Sequence, residues 1–321
     1  MFYAGWWGNP PAFLYTSMTI KTFNSQDKSW FRANQQRVAP WVFLTPALLF
    51  FSIYVIFPIF RSMWISFYAW DGIGEETWVG IANYVELMGD ERFYTSLKNN
   101  LIWLAMYMLA VPAGLFVALF LNQNMWGLRF YKSMFFFPFV ISQVVVGLIF
   151  SWFYNPNFGI IGMIWQFFGA TPPSILGDER FVTYGIIFAG LWPQVAYCMI
   201  LYLTGLNNVS ADQIEAGRLD GAKGWRMLRY VVLPQLWPAT FLAIVVTVIG
   251  ALRSFDMIAT MTQGGPWGSS NVLSYFMFET ALSEYGFRMG YGSAIAVILF
   301  LIMLVFISYF LWVMYQDEKR G

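Results

Sequence analysis

Six side chains stand where chemistry is unexpected, inside long apolar runs. Gln143 falls near the middle of one run and Gln194 near the middle of the next, beside Trp192 and Tyr197. Arg253 and Asp256 are the only charged residues within any of the runs. A polar group at membrane depth is costly unless it is paired or wetted, so each needs a reason to be there. Amides bond hydroxyls and aromatic faces stack on rings, which is the chemistry of a passage for a polar solute. The same groups also join membrane helices by hydrogen bonds, and both readings stay open for Gln143, Gln194 and Tyr197. The i, i+3 spacing of Arg253 and Asp256 allows a local ion pair on a helix, and their place toward the outer end of the run allows snorkelling. A third account has Arg253 facing the passage and attracting an acidic solute.

Other chemistry is excluded by what the chain lacks. There is no histidine and a single cysteine, Cys198, which removes Ser-His and Cys-His catalysis, histidine-ligated metal sites and thiolate clusters. Cys198 lies in an apolar run and reads as a small buried hydrophobe. No GxxxxGK[ST] loop is present to cradle nucleotide phosphates, so this chain is not expected to be an enzyme that hydrolyses ATP. A membrane-embedded enzyme would need convergent acids, bases or metal ligands, and the runs supply only Arg253 and Asp256. A proton-coupled carrier would want intramembrane carboxylates, and only Asp256 is offered.

The elements that must position these residues are membrane helices. Hydrophobic residues make up 59% of the chain and charged ones 11%, against about a quarter charged in soluble proteins. The fold class is therefore an all-α integral membrane protein. A net charge of +1 argues against a nucleic-acid partner, which requires a basic patch. Runs of about 17 to 25 residues can span a bilayer, and six occur: Trp41 to Phe60, Leu101 to Leu121, Met134 to Tyr154, Phe181 to Leu206, Leu236 to Asp256 and Met289 to Met314. Prolines such as Pro46, Pro58, Pro112, Pro138 and Pro193 interrupt several, as membrane helices tolerate.

Lys and Arg in the loops set the orientation. With the amino terminus inside, Lys21, Lys28, Arg32, Arg37, Arg129, Lys132, Arg218, Lys223, Arg226, Arg229, Lys319 and Arg320 are cytoplasmic, and only Arg61, Arg92, Lys98, Arg180, Arg253 and Arg288 lie outside. Residues 1–38, with Trp6, Trp7, Pro10 and Pro11, put their basic residues after the aromatic ones, the reverse of a secretory signal. They form a cytoplasmic tail, residues 39–316 the six-helix domain, and 317–321 a second cytoplasmic tail.

The one long polar passage between two apolar blocks on the inner side is Ser210 to Pro234, SADQIEAGRLDGAKGWRMLRYVVLP. Ser210 can cap a helix over Ala211 to Leu219, with Asp212 and Glu215 in turns where acids suit the helix dipole. Gly221 and Gly224 break that helix, and Trp225 to Val232 resume it toward Pro234. In Glu215, Ala216, Gly217, then Asp220, Gly221, Ala222, then Leu228, Val231, Leu233 and Pro234, the stretch resembles the "EAA" loop of permease subunits of bacterial ABC importers. Two departures are Gly217 in place of alanine, which would loosen the helix by roughly 1 kcal/mol, and Leu228 where phenylalanine is common.

The outer segments are more than tight turns. Trp70 to Asn100 is long and acidic, and Asn155 to Asp178 has room for a short helix at the interface. In Thr262 to Leu282, TQGGPWGSSNVLSYFMFETAL, Gly264, Gly265 and Pro266 force a turn, and Ser270 or Asn271 can cap the helix that follows. With Phe255 and Asp256 before it and Tyr291, Gly292 and Ser293 after it, this segment is similar to permeases of the carbohydrate-uptake branch of ABC importers, the maltose-type subunits among them.

The resemblance covers roughly residues 40 to 315. It implies the type I importer permease fold and a coupling helix formed by Glu215, Ala216, Gly217, Arg218, Asp220, Gly221 and Ala222. Ala216, Gly217, Leu219 and Ala222 would pack in a cleft of an ATPase subunit, with Glu215 and Arg218 meeting its polar groups. Two such subunits would bind the ATP and Mg that this chain cannot. A second permease chain, preferably a different one, and an extracytoplasmic solute-binding protein would complete an assembly in the bacterial inner membrane. Gln143, Trp192, Gln194, Tyr197, Arg253 and Asp256 would line the sugar pathway. A permease of the same family for a non-sugar solute is the main alternative, and a secondary carrier or channel a lesser one.

Overall fold

The structure, a computed structural model, describes residues 28–123, 126–283 and 287–319. The tail expected over 1–38 lies largely outside them, including Trp6, Trp7, Pro10, Pro11 and Lys21, as do Arg320 and Gly321 at the other end. The chain divides into two units, residues 1–59 and 60–321, each described by itself.

In the first, α1 (Lys28–Phe51) is already helical over the last residues of the expected tail and runs into a five-residue π-helical turn, Ser52–Ile56. The turn closes with Phe57 N–H donating to the Ser52 carbonyl. Its cause sits one residue on: Pro58 has no N–H to give, so the ladder widens just before it. The helix continues as α2 (Phe57–Ile65), and Ala39–Ile65 is long and apolar enough to cross a membrane.

In the second unit the end of α2 is followed by an antiparallel ribbon, β1 (Tyr68–Ala69) paired to β2 (Thr77–Trp78), which the all-helical expectation did not include. Next come α3 (Ala82–Gly89), α4 (Glu91–Tyr107) and α5 (Ala110–Leu121). Asp90 caps α4, its carboxylate accepting from Arg92 N–H at 2.8 Å. The second span thus starts ten residues before the expected Leu101, because the polar residues Ser96, Asn99 and Asn100 are buried against protein and not in an outer loop.

The third span, expected straight from Met134 to Tyr154, is two helices, α6 (Leu128–Val140) and α7 (Gln143–Phe153), bent by 99°. Ile141 and Ser142 are extended, and Ser142 Oγ accepts from Val145 N–H at 3.4 Å to start α7 as its cap. A serine there offers the first free N–H a partner and so favours a new helix over continuation. A short helix, α8 (Ile160–Phe167), occupies the expected place between the third and fourth spans.

The fourth span, α9 (Val182–Asn207), has 26 residues, about 39 Å at 1.5 Å per residue. Ala110, Ala118 and Leu121 of α5 meet Cys198, Met199 and Tyr202 of α9 in one buried cluster. After it come α10 (Ala211–Leu219), α11 (Trp225–Met227), a π-helical turn over Leu228–Val232 and α12 (Leu233–Gln235). This second π turn also ends two residues before a proline, Pro234, and has the same cause as the first.

The fifth span is α13 (Trp237–Leu252), bent by 73° from the helix before it. It stops short of the expected Asp256: Arg253 ends it, and Asp256 opens a separate helix, α14 (Asp256–Met261). The two charges are therefore not i, i+3 on one helix, and the expected ion pair does not form; the ion pairs among the described residues are Arg61–Glu76, Arg92–Glu279 and Arg288–Glu86. The chain closes with α15 (Leu273–Leu282) and the sixth span, α16 (Met289–Glu318). Counting each bent pair as one, up to six segments are long and apolar enough to cross a membrane.

Candidate functional site

At the Asn207 end of α9, Ser210 and Gln235 fix a helix, turn and helix. Ser210 Oγ accepts from Gln213 N–H at 3.5 Å as the cap of α10. The far end of α10 closes with Ala222 N–H on the Gly217 carbonyl (2.8 Å) and Gly221 N–H on the Arg218 carbonyl (3.1 Å). That pair of bonds needs a left-handed residue at Gly221, whose φ is +79°, a conformation glycine adopts without penalty. Asp220 is the last residue before the reversal and its backbone donates to Ala216. Gln235 joins the two ends, its Oε1 accepting from Ser210 N–H and its Nε2 donating to the Val231 carbonyl, both at 2.9 Å.

Glu215, Ala216, Arg218, Asp220 and Gly221 are exposed, Ala222 partly so, and Leu219 projects at 90% exposure. Gly217 is different. It is buried within the chain, and a Cβ there would stand 2.9 Å from Val231 Cγ2 and 3.3 Å from Met227 Cε. The expectation that Gly217 packs outward in a partner's cleft is thereby corrected. Its missing methyl lets α10 lie directly on the Trp225–Val232 segment, so the helix-propensity loss carries a compensating contact. Trp225 and Tyr230 add exposed aromatic surface beside α10 that the motif does not mark.

In the bundle, five of the six expected pathway residues line one cavity of about 320 Å³: Gln143, Gln194, Tyr197, Arg253 and Asp256, joined by Trp103 and Tyr107. The bend at Ser142 makes Gln143 the first residue of α7 rather than mid-span, and Tyr197 lies against Phe139 with rings 4.9 Å apart. Gln194 donates from Nε2 to Thr247 Oγ1 at 2.9 Å, joining α9 to α13, and Cys198 Sγ lies 3.6 Å from the same hydroxyl. Gln194 is thus an interhelical bond and a cavity wall at once. Arg253 and Asp256 are exposed at the cavity.

Trp192 does not join them. It lines a separate, apolar cavity of about 660 Å³ with Phe137, Phe150 and Phe188. The reason is helical geometry: two residues of separation turn the side chain about 200° around the axis, to the far face from Gln194.

Sequence reasoning missed the residues that hold the Thr262–Leu273 segment in place. Neither Ser270 nor Asn271 caps α15. Asn100 does so from α4, its Oδ1 accepting from Leu273 N–H at 2.9 Å, while Asn99 Nδ2 donates to the Ser269 and Asn271 carbonyls at 2.7 and 2.8 Å. Thr183 Oγ1 adds a bond to the Ser269 carbonyl at 3.2 Å, and Ser270 Oγ bonds back to Gly265. A paired asparagine at the start of an apolar run was the available signal.

Comparison with known proteins follows from this geometry. The family described as binding-protein-dependent transport system inner membrane component matches residues 110–319. A probable ABC transporter permease protein of Pyrococcus horikoshii is 34% identical over 286 residues, covering 87% of this chain and 96% of that protein. The alpha-glucoside transport system permease protein of Rhizobium meliloti is 30% identical over 286 residues, covering 86% and 81%. Among solved structures, a chain of a bacterial ABC transporter involved in the import of the acidic polysaccharide alginate has the same fold, with a TM-score of 0.78 over 89% of this chain and 98% of that one at 20% identity.

Proposed function

This chain belongs to the family of binding-protein-dependent transport system inner membrane components, and on that premise we propose that it is the membrane-spanning permease subunit of an ATP-driven importer of a sugar or oligosaccharide. The observation that carries the reading is the cavity, where Gln143 of α7, Gln194 and Tyr197 of α9, Arg253 at the end of α13 and Asp256 of α14 converge. Amides and a phenol beside aromatic rings suit hydroxyls on a ring, and the alpha-glucoside permease among the relatives supports that class of cargo.

Its partners are a second permease chain, which completes the pathway, two ATPase subunits that bind ATP and Mg, and an extracytoplasmic solute-binding protein. The exposed face of α10, with Glu215 and Arg218, docks on an ATPase subunit, and closure of the ATPase pair re-aims α9 and α13 around the cavity. The chain sits in the inner membrane with both termini cytoplasmic, as the distribution of Lys and Arg supports. Arg253 at the cavity favours an acidic sugar among the cargoes, since none of the ion pairs among the described residues involves it.

The test is uptake and ATPase activity of the assembly, purified with its binding protein into liposomes, with maltose, trehalose, alginate oligosaccharides and an amino acid. Stimulation by a sugar is expected. Stimulation by the amino acid alone moves the chain to a non-sugar branch, and absence of any copurifying ATPase subunit overturns the importer reading. Arg253→Gln is expected to lower uptake of alginate oligosaccharides selectively; unchanged uptake of every accepted sugar removes Arg253 from recognition.

A further inference from the structure

A separate groove of about 320 Å³ runs between α6 and α9, at the end of α9 that leads to Ser210, and shares no lining residue with the solute cavity. Its walls change character along their length. Lys132 and Ser133 of α6 and Thr204 and Asn207 of α9 supply its polar side chains, and Phe136, Ile200 and Leu203 its apolar ones. Farther along α6, Phe139 stacks on Tyr197, farther back in α9, with rings 4.9 Å apart. The two helices therefore run in opposite directions here, and the polar residues of both fall at one end of the groove, the apolar ones deeper in the spans.

The polar end sits at head-group depth. Trp126, 94% exposed, and Tyr131 stand beside the start of α6, and tryptophan and tyrosine are the types that gather at a membrane–water interface. Lys132 is half-buried, and Arg129 is exposed one turn before it on the same side of α6. Neither belongs to an ion pair among the described residues. Both lie in the first two turns of α6, where the helix dipole disfavours cations, so helix stability does not account for them. Thr204 donates its hydroxyl proton to the Ile200 carbonyl at 3.0 Å, which leaves Lys132, Ser133 and Asn207 as the donors of the groove. No carboxylate lines it to receive the ammonium of a zwitterionic head group. Donors and cations at one end call for an anion, and the apolar wall beyond calls for hydrocarbon. We propose that the groove seats one anionic phospholipid, its phosphate on Lys132 with Ser133 and Asn207 alongside, and an acyl chain along Phe136, Ile200 and Leu203. Basic pockets between membrane helices take such head groups. The assignment does not depend on which solute is carried.

The test titrates the purified assembly, stripped of lipid in detergent, with phosphatidylglycerol or with phosphatidylcholine of the same acyl chains, and counts bound lipids by native mass spectrometry. The wild type is expected to take one phosphatidylglycerol in preference to phosphatidylcholine. Lys132→Ala should weaken that binding by about tenfold, as for the loss of one hydrogen bond between charged groups, and leave phosphatidylcholine binding unchanged. Lys132→Arg should keep the preference. Thr204→Trp, which puts a ring into the groove, should remove it, and glycerol phosphate, a head without a tail, should not displace the lipid. A wild type without the preference, or a preference that survives both Lys132→Ala and Thr204→Trp, overturns the assignment. Displacement by glycerol phosphate makes the groove an anion site with no place for a lipid, and also overturns it. If the second permease chain covers the groove instead, the wild-type assembly binds no preferred lipid there and Thr204→Trp breaks the assembly apart. Should Thr204→Trp fail to fold, the comparison of Lys132→Ala with Lys132→Arg decides.

Discussion

At one end of α9 the chain from Ser210 to Gln235 keeps its backbone bonds to itself and turns side chains outward, with Glu215, Arg218, Leu219, Trp225 and Tyr230 exposed. At the other end, the segment from Thr262 to Leu273 hands its carbonyls and its helix-starting N–H to Asn99, Asn100 and Thr183, residues up to 173 positions away. The first is a self-supporting body whose surface is free for another protein. The second takes its shape from the bundle, and its polar side chains face in. On the proposed function the first receives force from another protein and must keep its form when pushed, whereas the second must follow the helices it packs against. The difference in where the hydrogen bonds go is the difference between those demands.

Charge reversal on the outward-facing side is the strongest way to test this contrast. Glu215→Lys is expected to lower transport by about a hundredfold, as for a like-charge clash of several kcal/mol at an interface, without moving the melting temperature of the chain in detergent. A fall in melting temperature would show that α10 depends on Glu215 for its fold and would break the comparison. At the inward-facing end the order of effects reverses. Asn99→Leu leaves the Asn271 carbonyl without its donor and the Ser269 carbonyl with Thr183 alone, and is expected to cost about 1–3 kcal/mol, as for one orphaned group. Hydrogen exchange confined to the 262–272 segment should rise with it.

Smaller changes sharpen the contrast. Gly217→Leu should destabilise by about 1–3 kcal/mol through overpacking against Val231 and Met227, read from chemical unfolding. Gly217→Ala should be near neutral, the helix-propensity gain of about 1 kcal/mol being offset by the 2.9 Å contact. Arg288→Gln removes a bidentate pair with Glu86 at 2.8 and 2.7 Å; both partners are about half exposed, so no more than about 1 kcal/mol is expected. The smallest effect is confined to one turn. Asp71 accepts from Ile73 and Gly74 N–H, which holds its carboxyl below the ordinary 3.8. A lowered carboxyl contributes its stabilisation above the unfolded value and loses it as pH falls through the folded one. Protection of the Ile73 and Gly74 amides, after correction for the intrinsic pH dependence of exchange, should therefore be flat at neutral pH and fall only in acid, as Asp71 protonates.

Much of the fold was legible because its cause is local. Six apolar runs mark six spans, and Ser210 and Gly221 bound α10 because a cap and a left-handed residue act on their nearest neighbours. What escaped was set by partners far along the chain. Asn99 and Asn100 read as outer-loop residues because polarity alone cannot say whether an amide faces water or a carbonyl some 170 residues away. Trp192 was grouped with Gln194 by nearness in sequence, although the turn of the helix sends it to the other face. Gly217 was scored by propensity, which knows nothing of Val231.

The Gln235 amide, finally, spans the two feet of the element that ends α9 and begins α13. One oxygen holds Ser210 at the first foot and one nitrogen holds Val231 near the second, so the arch is a closed linkage rather than an open strap. If α10 is pushed at Glu215, as the proposed docking implies, the Ser210–Gln235 bond resists spreading of the feet and favours their tilting together. The two helices that rise from those feet carry Gln194 and Tyr197 on one and Arg253 at the end of the other. On the proposed function, a push delivered at the rim of the membrane would reach the cavity as a joint movement of two of its walls.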